Sequence, residues 1–287
     1  LLIDPNGATA TVVEPRLTTV KTVNPVSGDA GDPITYTITI NHTAVSLADA
    51  FDVTLEDIVP ATIGTTVNSP ITIANVTVIH STLGNITGNF SVTGNTLDTA
   101  TPFALARGAT TTITINGVLR QEVQPGEIIT NTASLGYTSL PGVNQDLSPD
   151  ATGISDDTDR ERGYGASSDA TITVGQGTFD KDIFGRSAAH TSGATLTIGA
   201  VISYTLEVNL PEGTTRDLVV TDNLPAGLDY EGYTLITTAA QSGGRLTQDF
   251  SGSIPPITVS GGVGSGADVT FTFGGNVVTD GDNASNN

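Results

Sequence analysis

Threonine alternates with aliphatic residues in run after run of this chain, and that period of two confines it to one class of fold. The runs are 8–13 (ATATVV), 34–40 (ITYTITI), 51–55 (FDVTL), 71–79 (ITIANVTVI), 111–115 (TTITI) and 128–135 (IITNTASL). They start again at 170–174 (ATITV), 202–208 (ISYTLEV), 218–221 (LVVT), 233–238 (YTLITT) and 268–273 (DVTFTF). Each is rich in β-branched residues and bounded by Gly, Pro, Asn or Asp, as strands are. No stretch of 12 or more residues carries a helical period. With 48 Thr, 33 Gly and 14 Pro among 287 residues, the composition agrees. The expected class is all-β, with antiparallel sheets that bury one face. Ile34, Tyr36, Ile38 and Ile40 form one such face, and Ile202, Tyr204, Leu206 and Val208 another.

The restart is an internal repeat. The chain has only two lysines, Lys21 in TTVKTV and Lys181 in TFDKDIF, 160 residues apart. Tyr36 in YTITI answers to Tyr204 in YTLEV, and Asp57 and Pro60 in LEDIVPA answer to Asp222 and Pro225 in VTDNLPA. Lysine-to-tyrosine spacing is 15 and 23, tyrosine-to-aspartate 21 and 18, aspartate-to-proline 3 in both. This predicts two copies of one β domain. Residues 1–15 read as the closing strand of a preceding repeat or as a donor strand, 16–175 as repeat 1 with an acidic loop at 144–168, and 176–287 as repeat 2. Repeat 2 lacks a counterpart to 128–135, so it reads as incomplete at its C-terminal end. The expected completion is a continuing polypeptide, with a strand donated by a neighbouring subunit as the alternative.

The motifs K-T-V, G-D-x-x-x-Y-T-I-T, D-x-x-P-A and T-N-T-A, in that order, resemble the tandem surface repeats of large bacterial extracellular proteins. They are also similar to fimbrial domains that form intramolecular isopeptide bonds. That resemblance implies two tandem immunoglobulin-like β-sandwiches serving as stalk modules. It also implies a bond from a first-strand lysine to a late asparagine, assisted by an acid on a middle strand. Carried onto this chain, the set is Lys21, Asp57 and Asn131. In the second copy it is Lys181 and Asp222, with the asparagine expected beyond residue 287.

The chemistry fits those residue types. Amine attack on a carboxamide needs a neutral lysine, and burial supplies one by disfavouring charge. It also needs an acid that stays protonated, to polarise the amide and carry protons. A salt-bridged lysine with Asn131 at a bend is the plainer reading of the same three residues.

Other polar clusters are weaker signals. Asp150, Asp156, Asp157 and Asp159, with Asp280 and Asp282 near the end, offer the hard oxygens calcium takes, without EF-hand spacing. A solvated acidic loop, partly neutralised by Arg160 and Arg162, is the competing expectation. Asn41, Asn75, Asn85, Asn89 and Asn283 fit N-x-[ST], about the number chance gives.

A net charge of −20 argues against nucleic acid and against anionic membrane surfaces. No apolar run is long enough to span a bilayer, and no disulfide forms without cysteine. His42, His80 and His190 lack metal-ligand spacing, and no nucleophile motif is present. No enzyme activity and no cofactor are expected, calcium apart. The reading is an extracellular structural stalk or shaft repeat whose partners are adjacent repeats or identical subunits. The alternative is an adhesin domain that binds glycan or host protein through its loops.

Overall fold

The computed structural model describes residues 11, 13–141, 163–188, 195–243, 245–246 and 249–280. The chain is nearly all β, and among the described residues the only α-helix is the single turn Ala239–Ser242. It divides into two compact units. One comprises Leu1–Val26, Pro33–Val118 and Ile129–Ile172, and the other Ser27–Asp32, Leu119–Ile128 and Thr173–Asn287. The division falls at 172–173, and the segments 27–32 and 119–128 belong to the second unit. Thr214 N–H donating to Val123 O at 2.9 Å is one of the bonds that holds them there.

The first unit is a sandwich of two sheets. The first sheet runs from the lysine strand Leu17–Asn24 to the tyrosine strand Pro33–His42, then Thr110–Leu119, with Val76–His80 beyond. The second sheet has the order Gly163–Val174, the asparagine strand Ile128–Thr138, the aspartate strand Ala50–Ile58, Thr96–Thr99 and Phe90–Thr93. The alternation in sequence becomes alternation in burial. Ile34, Tyr36, Ile38 and Ile40 are buried while Thr35, Thr37 and Thr39 are only partly covered on the other face. Each such aliphatic side chain contributes about 1.5–3 kcal/mol when fully buried. Ile129, Asn131, Ala133, Leu135 and Tyr137 turn inward from the asparagine strand in the same way.

One irregularity decides which side chains of the aspartate strand face inward. Asp52 adopts a left-handed φ of 45°. Around it the register shifts by one residue against both neighbours, between the Phe103–Val53 and Leu105–Ala50 pairs and between the Gly136–Thr54 and Thr138–Phe51 pairs. Asp52 is therefore the extra residue of a β-bulge. Before it Ala50 points inward, and after it Val53, Leu55 and Asp57 do. Without the bulge, strict alternation would turn Asp57 to the outside.

The lysine strand is an edge, and two of its outward amides are capped by side chains. Leu17 N–H donates to the Tyr137 hydroxyl and Lys21 N–H to Ser168 Oγ, both at 2.9 Å. Such capping blunts an edge that would otherwise invite another strand. Ser168 lies on Gly163–Val174, so residues 163–168 belong to a strand and not to the loop expected there. The Tyr164 ring also stacks on Tyr137, centroids 5.1 Å apart.

Among the described residues the second unit holds three small sheets. Thr178–Arg186 pairs with Ile202–Asn209, Val219–Asp222 with Val269–Phe273 and then Ile257–Gly261, and Gly213–Thr215 with Val277–Thr279 and then Gly252–Ser253. The buried face expected along Ile202, Tyr204, Leu206 and Val208 is only half covered. Two predicted strands are also corrected. Residues 71–79 begin with the 3-10 turn Ile73–Asn75, whose Asn75 side chain accepts from Thr72 N–H, and only Val76–His80 is strand. Residues 233–238 form no strand. Tyr233 instead lays its ring edge-on against Phe271, and Thr238 caps the helical turn.

Gly213, at φ 133°, would place a Cβ 2.6 Å from Val123 O. Gly213→Ala should therefore destabilise the second unit by at least about 1–2 kcal/mol, visible as a lower urea midpoint. An unchanged midpoint would mean this contact relaxes freely.

Candidate functional site

Lys21, Tyr36, Asp57 and Asn131 come together inside the first unit. Lys21 lies opposite Ile38 on the tyrosine strand, and Tyr36 occupies the next inward position, opposite Val23. The Lys21 Nζ stands 4.9 Å from the Tyr36 ring centroid. From there it crosses the sandwich to donate to Asp57 Oδ2. Asp57 pairs in register with Ala133, and Asn131 is two residues away on the same inward face. Lys21 is 4% exposed, Asn131 1% and Asp57 fully enclosed.

This environment disfavours charge on both partners. Burial pushes the Lys21 amine below its usual range, and Asp57 offsets that only in part. Burial pushes the Asp57 carboxyl up, with Lys21 and Asn131 drawing it partly back. Both shifts run toward the neutral forms, because taking two charges out of water costs several kcal/mol each. Burial, and then the Asp57 charge, also holds the Tyr36 hydroxyl above the ordinary phenol range.

Asn131 is the anomalous member. It lies near enough to Asp57 to favour the ionised acid, yet neither Nδ2 nor Oδ1 meets a protein partner in hydrogen-bond geometry. Asp57 Oδ1 is likewise unmatched. Each buried polar group left in that condition costs about 1–3 kcal/mol. Chemically, the cluster presents a carboxamide, an amine whose charge burial disfavours and a carboxyl whose protonated form burial favours.

The second unit repeats the arrangement. Lys181 lies opposite Leu206, Tyr204 opposite Ile183, and the Lys181 Nζ sits 4.3 Å from the Tyr204 centroid while donating to Asp222 Oδ1. Here the lysine side chain is 28% exposed. Asp217 likewise has a positive φ, 51°, five residues before Asp222 as Asp52 is before Asp57. That Asp-x4-Asp spacing is in the sequence twice, and its first residue is left-handed both times. Sequence reading used the tyrosines only as landmarks and passed over both Asp52 and Ser168.

The other candidates do not assemble. Asp150, Asp156, Asp157, Asp159, Asp282, Asn283 and His190 lie outside the described residues, as does most of the 8–13 run. Asp280 accepts from Ser251 Oγ at 3.3 Å, next to the Gly252–Thr279 strand pair. Among the described residues no three His, Asp or Glu side chains gather as metal ligands would. Asn75 and Asn85 make local turn bonds, Asn89 Nδ2 donates to Thr101 O, and Asn41 sits on the tyrosine strand. His42 spans Ser46 and Leu105. His80 borders a cavity of about 240 Å³ with Asp49, Phe51 and Leu83, but both its nitrogens are engaged, with Ala104 O and with the Thr82 and Leu83 amides.

No family model matches the chain, and no curated protein does. Solved structures similar to it include the T6 backbone pilin of serotype M6 Streptococcus pyogenes, at 13% identity over 69% of this chain and 47% of that one, with a TM-score of 0.37. The major pilin subunit of Bacillus cereus is similar at 11% identity over 69% and 57%, TM-score 0.37. A 35 kDa C-terminal fragment of a Streptococcus agalactiae major pilin covers 91% of this chain and 77% of its own, at 10% identity and a TM-score of 0.34. The chain thus spans about half the length of the first two.

Proposed function

We propose that the chain is a load-bearing module of an extracellular bacterial shaft or stalk, whose first unit is locked by an isopeptide bond between Lys21 and Asn131. The observation that carries this reading is the Asn131 carboxamide, buried without a protein hydrogen bond beside a buried Lys21–Asp57 pair. In the reaction the neutral Lys21 Nζ attacks the Asn131 side-chain carbonyl carbon. The Asp57 carboxyl polarises that carbonyl and passes protons from the amine to the departing nitrogen. A C–N bond to lysine forms, the C–N bond to the amide nitrogen breaks, and one ammonia leaves.

The linkage would tie the edge strand of one sheet to the asparagine strand of the other. Pulling on the termini could then not peel either strand away, and mechanical persistence is the function. Tandem modules that each bury their own core suit such a role. Intact-mass measurement tests it. The chain should be lighter than its sequence by one ammonia, and Asn131→Ala should show the full expected mass. Full mass in the unsubstituted protein would overturn the proposal.

A further inference from the structure

We infer that the turn Asp29–Asp32 is a self-processing site, in which the Asp32 side chain cuts the peptide bond that joins Asp32 to Pro33. Asp32 N–H donates to Asp29 O at 3.1 Å and closes the turn, and Gly31, at φ 90°, supplies the positive φ its third residue needs. Asp29 N–H donates to Asp32 Oδ2 at 3.0 Å. That oxygen lies 2.7 Å from where a Cβ on Gly28 would stand, so a side chain at 28 would displace it. Leu119, fully buried, grips the turn from beside it. Its carbonyl accepts from Gly31 N–H at 2.8 Å, and its own N–H donates to Asp32 O at 3.0 Å. The second of these bonds polarises the carbonyl to be cut and would stabilise an oxyanion formed on it. Pro33 is exposed, so water reaches the bond.

The Asp29 carboxyl completes the site. It is hydrogen-bonded to the Asp32 carboxyl and accepts from Glu212 N–H at 3.3 Å. Burial pushes it above the usual carboxylate range against the pull of the Glu212 amide, and the Asp32 charge pushes the same way as burial. Of the other charged groups on the segments around the turn, Arg120 pairs with Glu122, and Glu127 accepts from Gln124 N–H. The Asp29–Asp32 pair therefore keeps one proton to a higher pH than a lone aspartate, whose pKa is about 3.9. In the reaction an ionised Asp32 carboxyl oxygen bonds to its own main-chain carbonyl carbon, closing a cyclic anhydride. The bond to the Pro33 nitrogen breaks, and that nitrogen takes the proton the pair holds. One water opens the anhydride and returns a proton to the pair. A carboxyl end is left at Asp32 and an amino end at Pro33.

Cleavage here does not depend on the Lys21–Asn131 bond, and one experiment reads both. The whole chain is held at about pH 5, above the pKa of a free aspartate, and followed by amino-terminal sequencing and by mass under denaturing conditions. Asp4–Pro5, the only other Asp–Pro bond in the 287 residues, is the reference for ordinary acid lability. A new amino terminus reading Pro33-Ile34-Thr35 should appear well before any cut at Asp4–Pro5. Asp29→Asn, which keeps the main-chain bonds of the turn, should slow it about a hundredfold. Equal rates at the two bonds, a rate indifferent to Asp29→Asn, or no cut at all would overturn the site. The cut falls between Lys21 and Asn131, so a chain bonded there gains one water and keeps residues 1–32, whereas Asn131→Ala releases them. Release from the unsubstituted chain would support the processing site while contradicting the Lys21–Asn131 bond.

Discussion

Asp57→Ala should restore the full mass of the chain and lower the stability of the first unit by about 4–5 kcal/mol, the contribution of a cross-link closing a loop of that span. The 110 residues from Lys21 to Asn131 would no longer be constrained in the unfolded state. The pH dependence should also change sign. In the bonded protein the lysine nitrogen is an amide and does not titrate, leaving Asp57 as the group that matters. Burial raises its pKa in the folded state. Its stabilising contribution is therefore complete below the unfolded carboxylate pKa of about 3.9 and is lost as pH rises through the folded value. In Asp57→Ala the remaining group is Lys21, whose folded pKa burial depresses. The unfolded chain then binds the extra proton, so stability rises with pH up to the unfolded lysine pKa near about 10.4. Urea midpoints followed across pH distinguish the two slopes. Parallel slopes in the two proteins would contradict the account.

Asp52→Val should be nearly as damaging, although the residue touches neither Lys21 nor Asn131 in the bonds described above. A β-branched side chain in the left-handed region costs roughly 1–2 kcal/mol. The larger effect is on register, because losing the bulge would turn Asp57 away from Lys21. The substituted chain should be less stable and should keep its ammonia. Asp52→Gly removes the hydrogen bond from Thr138 Oγ1, 3.2 Å long, but suits the backbone, so it should fold and lose ammonia as usual. Equal ammonia loss in the valine and glycine variants would show that the bulge does not set the site.

Much of this was legible in the sequence, because its signals were local. Alternation along 34–40 and 128–135 specified both strands and their inward faces. Recurrence of Lys, Tyr and Asp at similar spacing placed Lys21 with Asp57 and Lys181 with Asp222. Features that depend on a partner strand were not legible. The 233–238 run has good strand composition, yet an aromatic contact with Phe271 replaces ladder pairing there. The segment 163–168 looked like loop because its contributions are a serine hydroxyl to a distant amide and a tyrosine stack. The bulge at Asp52 needed the register of two neighbouring strands before its spacing acquired meaning. The half-open face of the second unit depends on which strands lie opposite, and alternation along Ile202–Asn209 does not specify that.

The central claim is a covalent link between two named side chains, and tryptic digestion with tandem mass spectrometry reads it directly. Trypsin does not cut after an acylated lysine. With the bond in place, the fragment Leu17–Arg107 should be recovered joined to Gln121–Arg160, one ammonia short, with fragment ions placing the link at Lys21 and Asn131. Recovery of a free Leu17–Lys21 peptide and an unlinked Gln121–Arg160 peptide would contradict it.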